Sequence, residues 1–371
     1  MHFVTFNVPY PANYGGVIDV YYRIRALSQL GVKIHLHCYT YGRPPAPQLE
    51  MLCEDVHYYR RVTLPHKLLS HEPYIVSSRH SRQLLQLLLQ DNEPVLLDGL
   101  HCCWLLPLLR QTNPARIILV RAHNVEHHYY AQLAQSESLP LRRWYLRSDA
   151  RKLERYEPVL HYASHILAIS PGDWKYFLQQ QYAPVTLVCG SHGCDELTIP
   201  TGFGRFVLVH GDLSVADNQR SVLLLLDQVV SQVQQPFVIA GNRPSRHLQA
   251  AVRRHPNVTL VASPSDDKMQ ELLAQAHVCL CHTNQATGIK LKLLRALYSS
   301  RHCLVNSLMV QGTDLAPLCA VADTPAAMVI ALNDLFLHPL THQQQQQRRL
   351  FLSQHYDDAL SAAVIKRLLE E

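Results

Sequence analysis

Short apolar runs alternate with stretches of helical spacing along most of this chain, and glycine or proline marks most changes between them. His2 to Val8 predicts a short strand, followed by a turn-rich loop from Pro9 to Gly16 that ends in Gly15-Gly16. A helix from about Val17 to Leu30 is closed by Gly31, and Val32 to Cys38 predicts the next strand. Strand, glycine loop, helix and strand is how an open α/β sheet begins. The alternation continues through strands at Val56 to Tyr59, Pro94 to Asp98 and Ile117 to Arg121, with a helix from Ser81 to Gln90. Ile166 to Ser170 then closes the first sheet, and Ser170 caps a helix. Glycine and proline reach linker density from Cys189 to Gly204.

A second alternation starts afresh. Strands at Phe206 to His210, Phe237 to Ala240, Val258 to Ala262, His277 to Cys281 and Cys303 to Asn306 alternate with helices that include Arg220 to Gln232 and Asp266 to Gln275. A helix from Pro325 to Phe336 and a last one from Leu350 to Leu369 follow. The pattern predicts an α/β protein of two Rossmann-like domains, the first spanning 1–190 and the second 204–349.

Composition narrows the function more than the fold. A hydrophobic content of 47% with 17% charged residues belongs to a folded chain, and a net charge of +5 permits an anionic partner without demanding nucleic acid. Ten cysteines lie scattered, several inside apolar runs, as buried thiols in a reducing compartment do. Twenty-three histidines show no metal-ligand spacing, so no metal is expected. The first residues lead straight into a strand, and no apolar run approaches a membrane span, which predicts a cytoplasmic protein. One stretch adds a membrane surface to the expected partners. From Leu141 to Leu160, six basic residues interleave with Trp144, Tyr145 and Tyr156 on an amphipathic helix. Such a helix either covers the sheet with a solvated face or docks on anionic lipid.

Two regions carry candidate chemistry. Asp98 and His101 end one strand, and His123, Asn124, Glu126 and His127 follow the next, where open α/β sheets bind ligands. The stretch from Ala286 to Asn306 is the other. Thr283, Asn284 and Thr287 are candidate caps, and Ile289, Leu293, Leu294 and Leu297 recur at helical spacing. Lys290 and Lys292 occupy the first turn, where the helix dipole ordinarily favours acids. Two lysines there, beside free backbone amides, suit a bound dianion.

The pattern Gly288-Ile289-x-x-Lys292-x-Leu-x-Ala-Leu, followed by a small-residue turn and a strand, resembles the nucleotide-sugar segment of family 4 glycosyltransferases of the GT-B fold, bacterial surface-polysaccharide enzymes in particular. The resemblance implies two domains that face across a cleft, with the C-terminal helix within 350–371 joining the first. It also implies a sugar transfer from a nucleotide-diphosphate donor to a hydroxyl acceptor, with retention and without a metal. The donor is a co-substrate and no other cofactor is implied. The acceptor it suggests is a lipid-linked glycan. It places Gly288 and Lys292 on the donor diphosphate, and Gly15 and Gly16 in a loop lining the cleft. Gly211, Gly241, Thr287, Ile289 and Lys290 join that donor set, and Tyr10, Asn13, Tyr14 and His101 are candidate acceptor contacts. His123 matches a histidine that contacts the transferring sugar. Glu126 acts as base if the enzyme inverts, or holds the acceptor hydroxyl if it retains; its other reading is a helix cap.

Three positions depart from the family. Thr287 and Arg295 replace a pair of glutamates, and Asp212 stands where a basic residue is usual. Charge compensation therefore moves to Arg243, Lys290 and Lys292, although Arg243 also reads as a plain surface residue. The departures keep two rivals open: a degenerate relative retained as a binding or scaffold subunit, and a nucleotide-sugar epimerase.

Overall fold

The computed structural model describes residues 1–64, 67–68, 70–137, 139–284 and 290–371. Thr287, Gly288 and Ile289, three of the expected donor contacts, lie outside the described residues. The chain divides into two compact units, Met1–Gly193 with Tyr356–Glu371, and residues 194–284 with Lys290–His355.

The first unit runs β1 (His2–Thr5), α1 (Gly15–Gln29), β2 (His35–Thr40), β3 (Asp55–Arg60), α2 (Tyr74–Ser77), α3 (Arg82–Leu88), β4 (Val95–Asp98), α4 (Leu106–Thr112), β5 (Ile118–Ala122), α5 (Glu126–Ser136), α6 (Pro140–Tyr156), β6 (His165–Ala168), α7 (Pro171–Gln180) and β7 (Val185–Leu187). Its seven strands are parallel in the order β3-β2-β1-β4-β5-β6-β7. Successive residues of β4 face opposite ways: Val95 and Leu97 enter one apolar cluster, and Leu96 enters the other with Phe3, Leu36, Leu119 and Leu167. Both faces are covered, so the strands read as continuous apolar runs instead of alternating ones.

The second unit runs β8 (Val207–His210), α8 (Ala216–Gln228), β9 (Phe237–Gly241), α9 (Arg246–Val252), β10 (Val258–Ala262), α10 (Asp266–Gln275), β11 (Val278–Cys281), α11 (Leu291–Ser299), β12 (His302–Val305), α12 (Ser307–Val310), β13 (Ala320–Val321), α13 (Pro325–Leu335) and α14 (His342–His355). Its order is β10-β9-β8-β11-β12-β13, again parallel. The chain's final helix, α15 (Asp358–Leu369), packs in the first unit against α1. Both sheets are thus Rossmann-like, as the pattern of apolar runs predicts.

Four details differ from that prediction. The first sheet ends at β7, not at the strand before it, and β13 adds a further edge; strands of three and two residues leave too short an apolar run to read. The expected last helix is two, broken where Asp357 caps α15 through bonds from the Ala359 and Leu360 amides. Gly15 and Gly16 are the first residues of α1 and not loop residues. A Cβ on Gly16 would come within 2.9 Å of the Phe6 ring, so close packing is what asks for glycine there. Finally, α11 starts at Leu291 with Lys290 at its cap position.

Each strand order turns back at one place. In the first sheet this lies between β1 and β4, and in the second between β8 and β11. Loops leaving the carboxyl ends of those strands border the crevice where such sheets take ligands.

Candidate active site: two switch points

In the second unit, the loops after β8, β9 and β11 and the first turns of α8 and α11 converge. Gly241 ends β9 directly beneath the loop that follows β8: a Cβ there would sit 1.9 Å from the Gly211 carbonyl oxygen and 2.8 Å from Leu213. Only glycine admits that crossing. Asp217, in the first turn of α8, is buried and accepts bonds from Thr283 Oγ1 (3.1 Å) and Asn284 Nδ2 (3.0 Å). Burial alone would raise this carboxyl; the bonds from Asn284 and Thr283 outweigh it and hold the group below its ordinary range. Asn306 completes the frame, accepting from the Thr283 amide and donating to its carbonyl.

Lys290 and Lys292 stand in this frame. Lys292 Nζ donates to the His282 carbonyl (2.6 Å) and to Asn218 Oδ1 (3.1 Å), so the side chain is fixed by its own unit. Lys290 is 9% exposed, and burial, then the neighbouring Lys292, lowers its ammonium to about 8. Burial also lowers Lys292. The buried Lys290 and the half-buried Lys292 repel each other, with Asp217 the carboxylate that partly offsets both. Beside them His210 is buried, and burial followed by Arg295 and Lys292 lowers it to about 3, so it stays neutral. Two lysines at the start of α11, beside the first turn of α8, suit a polyanion.

The other donor-side expectations sit at the rim. Arg243 adopts a left-handed backbone, is exposed, and reaches Ser214 Oγ at 3.5 Å. Asp212, the misplaced acid, closes its own turn by accepting from the Ser214 amide and hydroxyl. Arg295 points to Asp266 at 3.3 Å on the exposed side of its helix.

In the first unit the corresponding ends hold a different kind of cluster. Asp98 at the end of β4 is fully buried and accepts from Arg23 Nη1 (3.0 Å) and His123 Nε2 (2.9 Å). Asp19, also fully buried, accepts from Arg23, from Arg121 (3.3 and 3.2 Å) and from the Ser191 amide (2.7 Å). Burial would raise Asp19, but Arg121 and Arg23 together lower it to about 2. His123 Nδ1 lies 3.5 Å from Asp19, so both ring nitrogens face carboxylates of the protein. His123, the expected sugar contact, is thus held through Nε2 and is 7% exposed, while its buried Nδ1 makes no hydrogen bond among the described residues.

Gly99, at φ +79°, lets the chain turn between these groups, and His101 stacks on Phe6. Burial, then Arg79, pushes His101 well below its ordinary value. Glu126 opens α5 and is 4% exposed, lining a small cavity with Leu100, Val120, Ala122, Asn124, Glu157, Leu160 and Phe177. Burial raises it to about 7, opposed by His123 and by the Asn124 side chain. A carboxyl poised there exchanges a proton near neutrality, but into a cavity and not at an open surface. Of the acceptor-side residues, Tyr14 is 40% exposed, accepts from Asn7 Nδ2 and lies under Arg43, which also bonds Asn13; Tyr10 packs on Tyr21.

Sequence reasoning passed over the partners that hold these groups: Asp19, Arg23 and Arg121 around His123, and Asp217, Asn218 and His282 around Lys292. One signal was present. Asp19 and Arg23 fall among Val17, Val20, Ile24 and Leu27, on the buried side of α1, where charge is found only when paired. Among the described residues, no three His, Cys, Asp or Glu side chains converge to hold a metal, and no helix is long and apolar enough to cross a membrane.

No family model matches the chain. An uncharacterised 44.6 kDa protein in the cps region of Klebsiella pneumoniae is 24% identical, covering 84% of this chain and 83% of the relative. Among solved structures, a glycosyltransferase from Rickettsia africae superposes with TM-score 0.66 at 12% identity, over 100% of this chain and 97% of that one. Anabaena HepE, solved with UDP and glucose, gives 0.64 at 11%, over 100% and 98%. A UDP-forming trehalose-phosphate synthase from Burkholderia xenovorans, solved with glucose-6-phosphate, gives 0.62 at 10%, over 100% and 99%. The chain has the fold of GT-B glycosyltransferases.

Proposed function

We propose that this GT-B chain is a glycosyltransferase that draws its sugar from a nucleotide-diphosphate donor, bound in the second unit. One observation carries the reading: the buried Lys290 and the half-buried Lys292 stand together at the start of α11, next to the first turn of α8, where a helix ordinarily takes acids. When the bond from the anomeric carbon to the diphosphate breaks, negative charge collects on the departing oxygen. The Lys292 ammonium, already fixed by Asn218 and the His282 carbonyl, stabilises it without reorganising, with Lys290 beside it. The acceptor hydroxyl bonds to the same carbon, and its proton leaves with the diphosphate in the retaining, metal-independent course that the family resemblance favours. UDP, present in the Anabaena structure and formed by the Burkholderia enzyme, is the first nucleotide to test.

The first unit takes the acceptor in this reading. His123, held between Asp98 and Asp19, serves as a positioning residue, and Glu126 holds the acceptor hydroxyl, its part in a retaining enzyme. A lipid-linked glycan is the acceptor class we favour, because α6 carries an exposed stripe of basic and aromatic residues. Trp144, Arg147, Arg151 and Arg155 recur at spacings of three and four along its exposed side, opposite the buried Asp149, Ala150 and Leu153, with Leu139 (54%) and Leu141 (84%) exposed at its start. Basic residues beside exposed tryptophan and leucine suit an anionic bilayer. The protein would then work in the cytoplasm at a membrane surface.

A binding subunit without catalysis is the second reading. Asp212, and Arg295 paired with Asp266, support it, since neither offers the usual nucleotide contact. Incubation with a panel of nucleotide sugars separates the two. Release of free nucleoside diphosphate, faster with an acceptor present, is expected; nucleotide binding with no release from any sugar would support the subunit.

A further inference from the structure

Two arginines of the first unit stand apart from the ion pairs around His123. Arg79 follows α2 and is 4% exposed. Its Nε donates to the Phe6 carbonyl (3.0 Å) and its Nη1 to the Ile75 carbonyl, both neutral acceptors. Arg61, one residue past β3, donates from Nε to Ser78 Oγ (2.9 Å) and lies over the rings of Tyr41 (4.6 Å) and Tyr74 (5.3 Å). Among the described residues, neither guanidinium has a carboxylate within 4 Å. Asp149, beside Tyr74, is occupied by the Tyr74 amide, the Tyr145 hydroxyl and Lys152.

A buried arginine without a counter-ion is costly, and a second arginine alongside makes it more so. Burial, then Arg61, lowers Arg79 to about 10. His101, kept neutral, adds no negative charge. The cations sit where chemistry is expected: Phe6, Tyr41, Arg61 and His101 all follow carboxyl ends of strands around the β1/β4 switch point.

We propose that Arg61 and Arg79 bind a phosphate group carried by the acceptor, either a soluble sugar phosphate or a lipid-linked diphosphate. Planar guanidinium forks match phosphate oxygens in pairs, and Tyr14, Tyr41 and Tyr74 supply ring faces for the attached group. The anion site stands on its own geometry; only its assignment to an acceptor rests on the glycosyltransferase reading.

Calorimetric titration of the full chain with inorganic pyrophosphate tests it. Arg61→Gln and Arg79→Gln should each weaken one binding event at least tenfold, and that event should survive in Lys292→Ala. Arg61 is partly exposed, so its variant remains informative if Arg79→Gln does not fold. Isotherms of folded Arg61→Gln that superimpose on the wild type would overturn the site. Titration with UDP and GDP addresses the donor reading separately: loss of nucleotide binding with the arginine-dependent event intact sinks that reading and leaves this site standing. Competition by glucose 6-phosphate identifies a soluble ester, and competition by a polyprenyl diphosphate in detergent micelles identifies a lipid carrier. Displacement by neither overturns the acceptor assignment.

Discussion

The two switch points use charge in opposite ways. Around His123, two carboxylates meet two guanidinium groups and an imidazole, all buried, and the charges largely cancel within the protein. Around Lys292, two ammonium groups stand close enough for Lys292 to lower Lys290, and among the described residues Asp217 is the carboxylate that offsets both. A buried, cancelled network fixes positions; a buried excess is a demand for a ligand. On that contrast the first unit holds groups in place at the end of its sheet, and the second is charged for binding. Arg61 and Arg79 form a local exception within the first unit, which is why they read as a site.

The contrast breaks most visibly if the first network is cut. Asp19→Ala strands Arg23 and Arg121 with Asp98 as their remaining carboxylate, and should cost about 3–5 kcal/mol in chemical denaturation. A loss below ~1 kcal/mol would show that the charges are not mutually supporting. Acid should act more broadly. Burial is the first cause lowering His37, His210 and His302, to about 2, 3 and 4. Their folded-state values lie below the unfolded one, so the stability they contribute is complete above pH ~6.5 and is lost as pH falls towards those values. Each should remove on the order of 2 kcal/mol between pH 7 and 5. Glu126, raised to about 7, works the other way: its burial is least unfavourable when protonated, and it returns a similar amount over that range. Denaturation midpoints at pH 7 and 5 should therefore show a net loss, and unchanged midpoints would contradict the assignment of neutral buried histidines.

In the second unit, Lys292→Ala should weaken nucleoside-diphosphate binding by roughly 1–3 kcal/mol, the range of a charge-assisted bond, with little change in unfolding midpoint. The same affinity should fall as pH rises past about 8, where Lys290 loses its proton. Flat affinity from pH 7 to 9.5 would remove Lys290 from the site. The smallest effect concerns α6: exchanging Arg147 or Arg151 for Gln should weaken sedimentation with phosphatidylglycerol vesicles by about 1 kcal/mol each, with no effect on phosphatidylcholine vesicles.

Much of this fold was legible because both sheets are buried on two faces, so Val95 to Leu97 or Val278 to Cys281 stand out as unbroken apolar runs. The short edge strands β7 and β13 were not, and neither was the break before Asp357, where a single cap divides one amphipathic pattern into two helices. Lys292 was legible by its wrong sign for a helix start. Of the Asp19–Arg23–Arg121–Asp98 frame, only Asp19 and Arg23 left a signal, on the apolar side of α1; Asp98 and Arg121 did not, because a charge near a strand end looks the same in sequence whether water or another side chain satisfies it. Arg61 and Arg79 were hidden for a related reason: what distinguishes them is a missing partner, and absence of a carboxylate is visible only in three dimensions.

The central claim, that the lysine pair of α11 holds a nucleoside diphosphate, is tested most directly by titrating UDP and GDP into the wild-type chain and into a Lys290→Ala/Lys292→Ala double variant. One of the two nucleotides should bind the wild type and lose at least a hundredfold in affinity in the double variant, which should still unfold cooperatively. Equal affinity in both proteins, or no binding of either nucleotide to the wild type, would contradict the account.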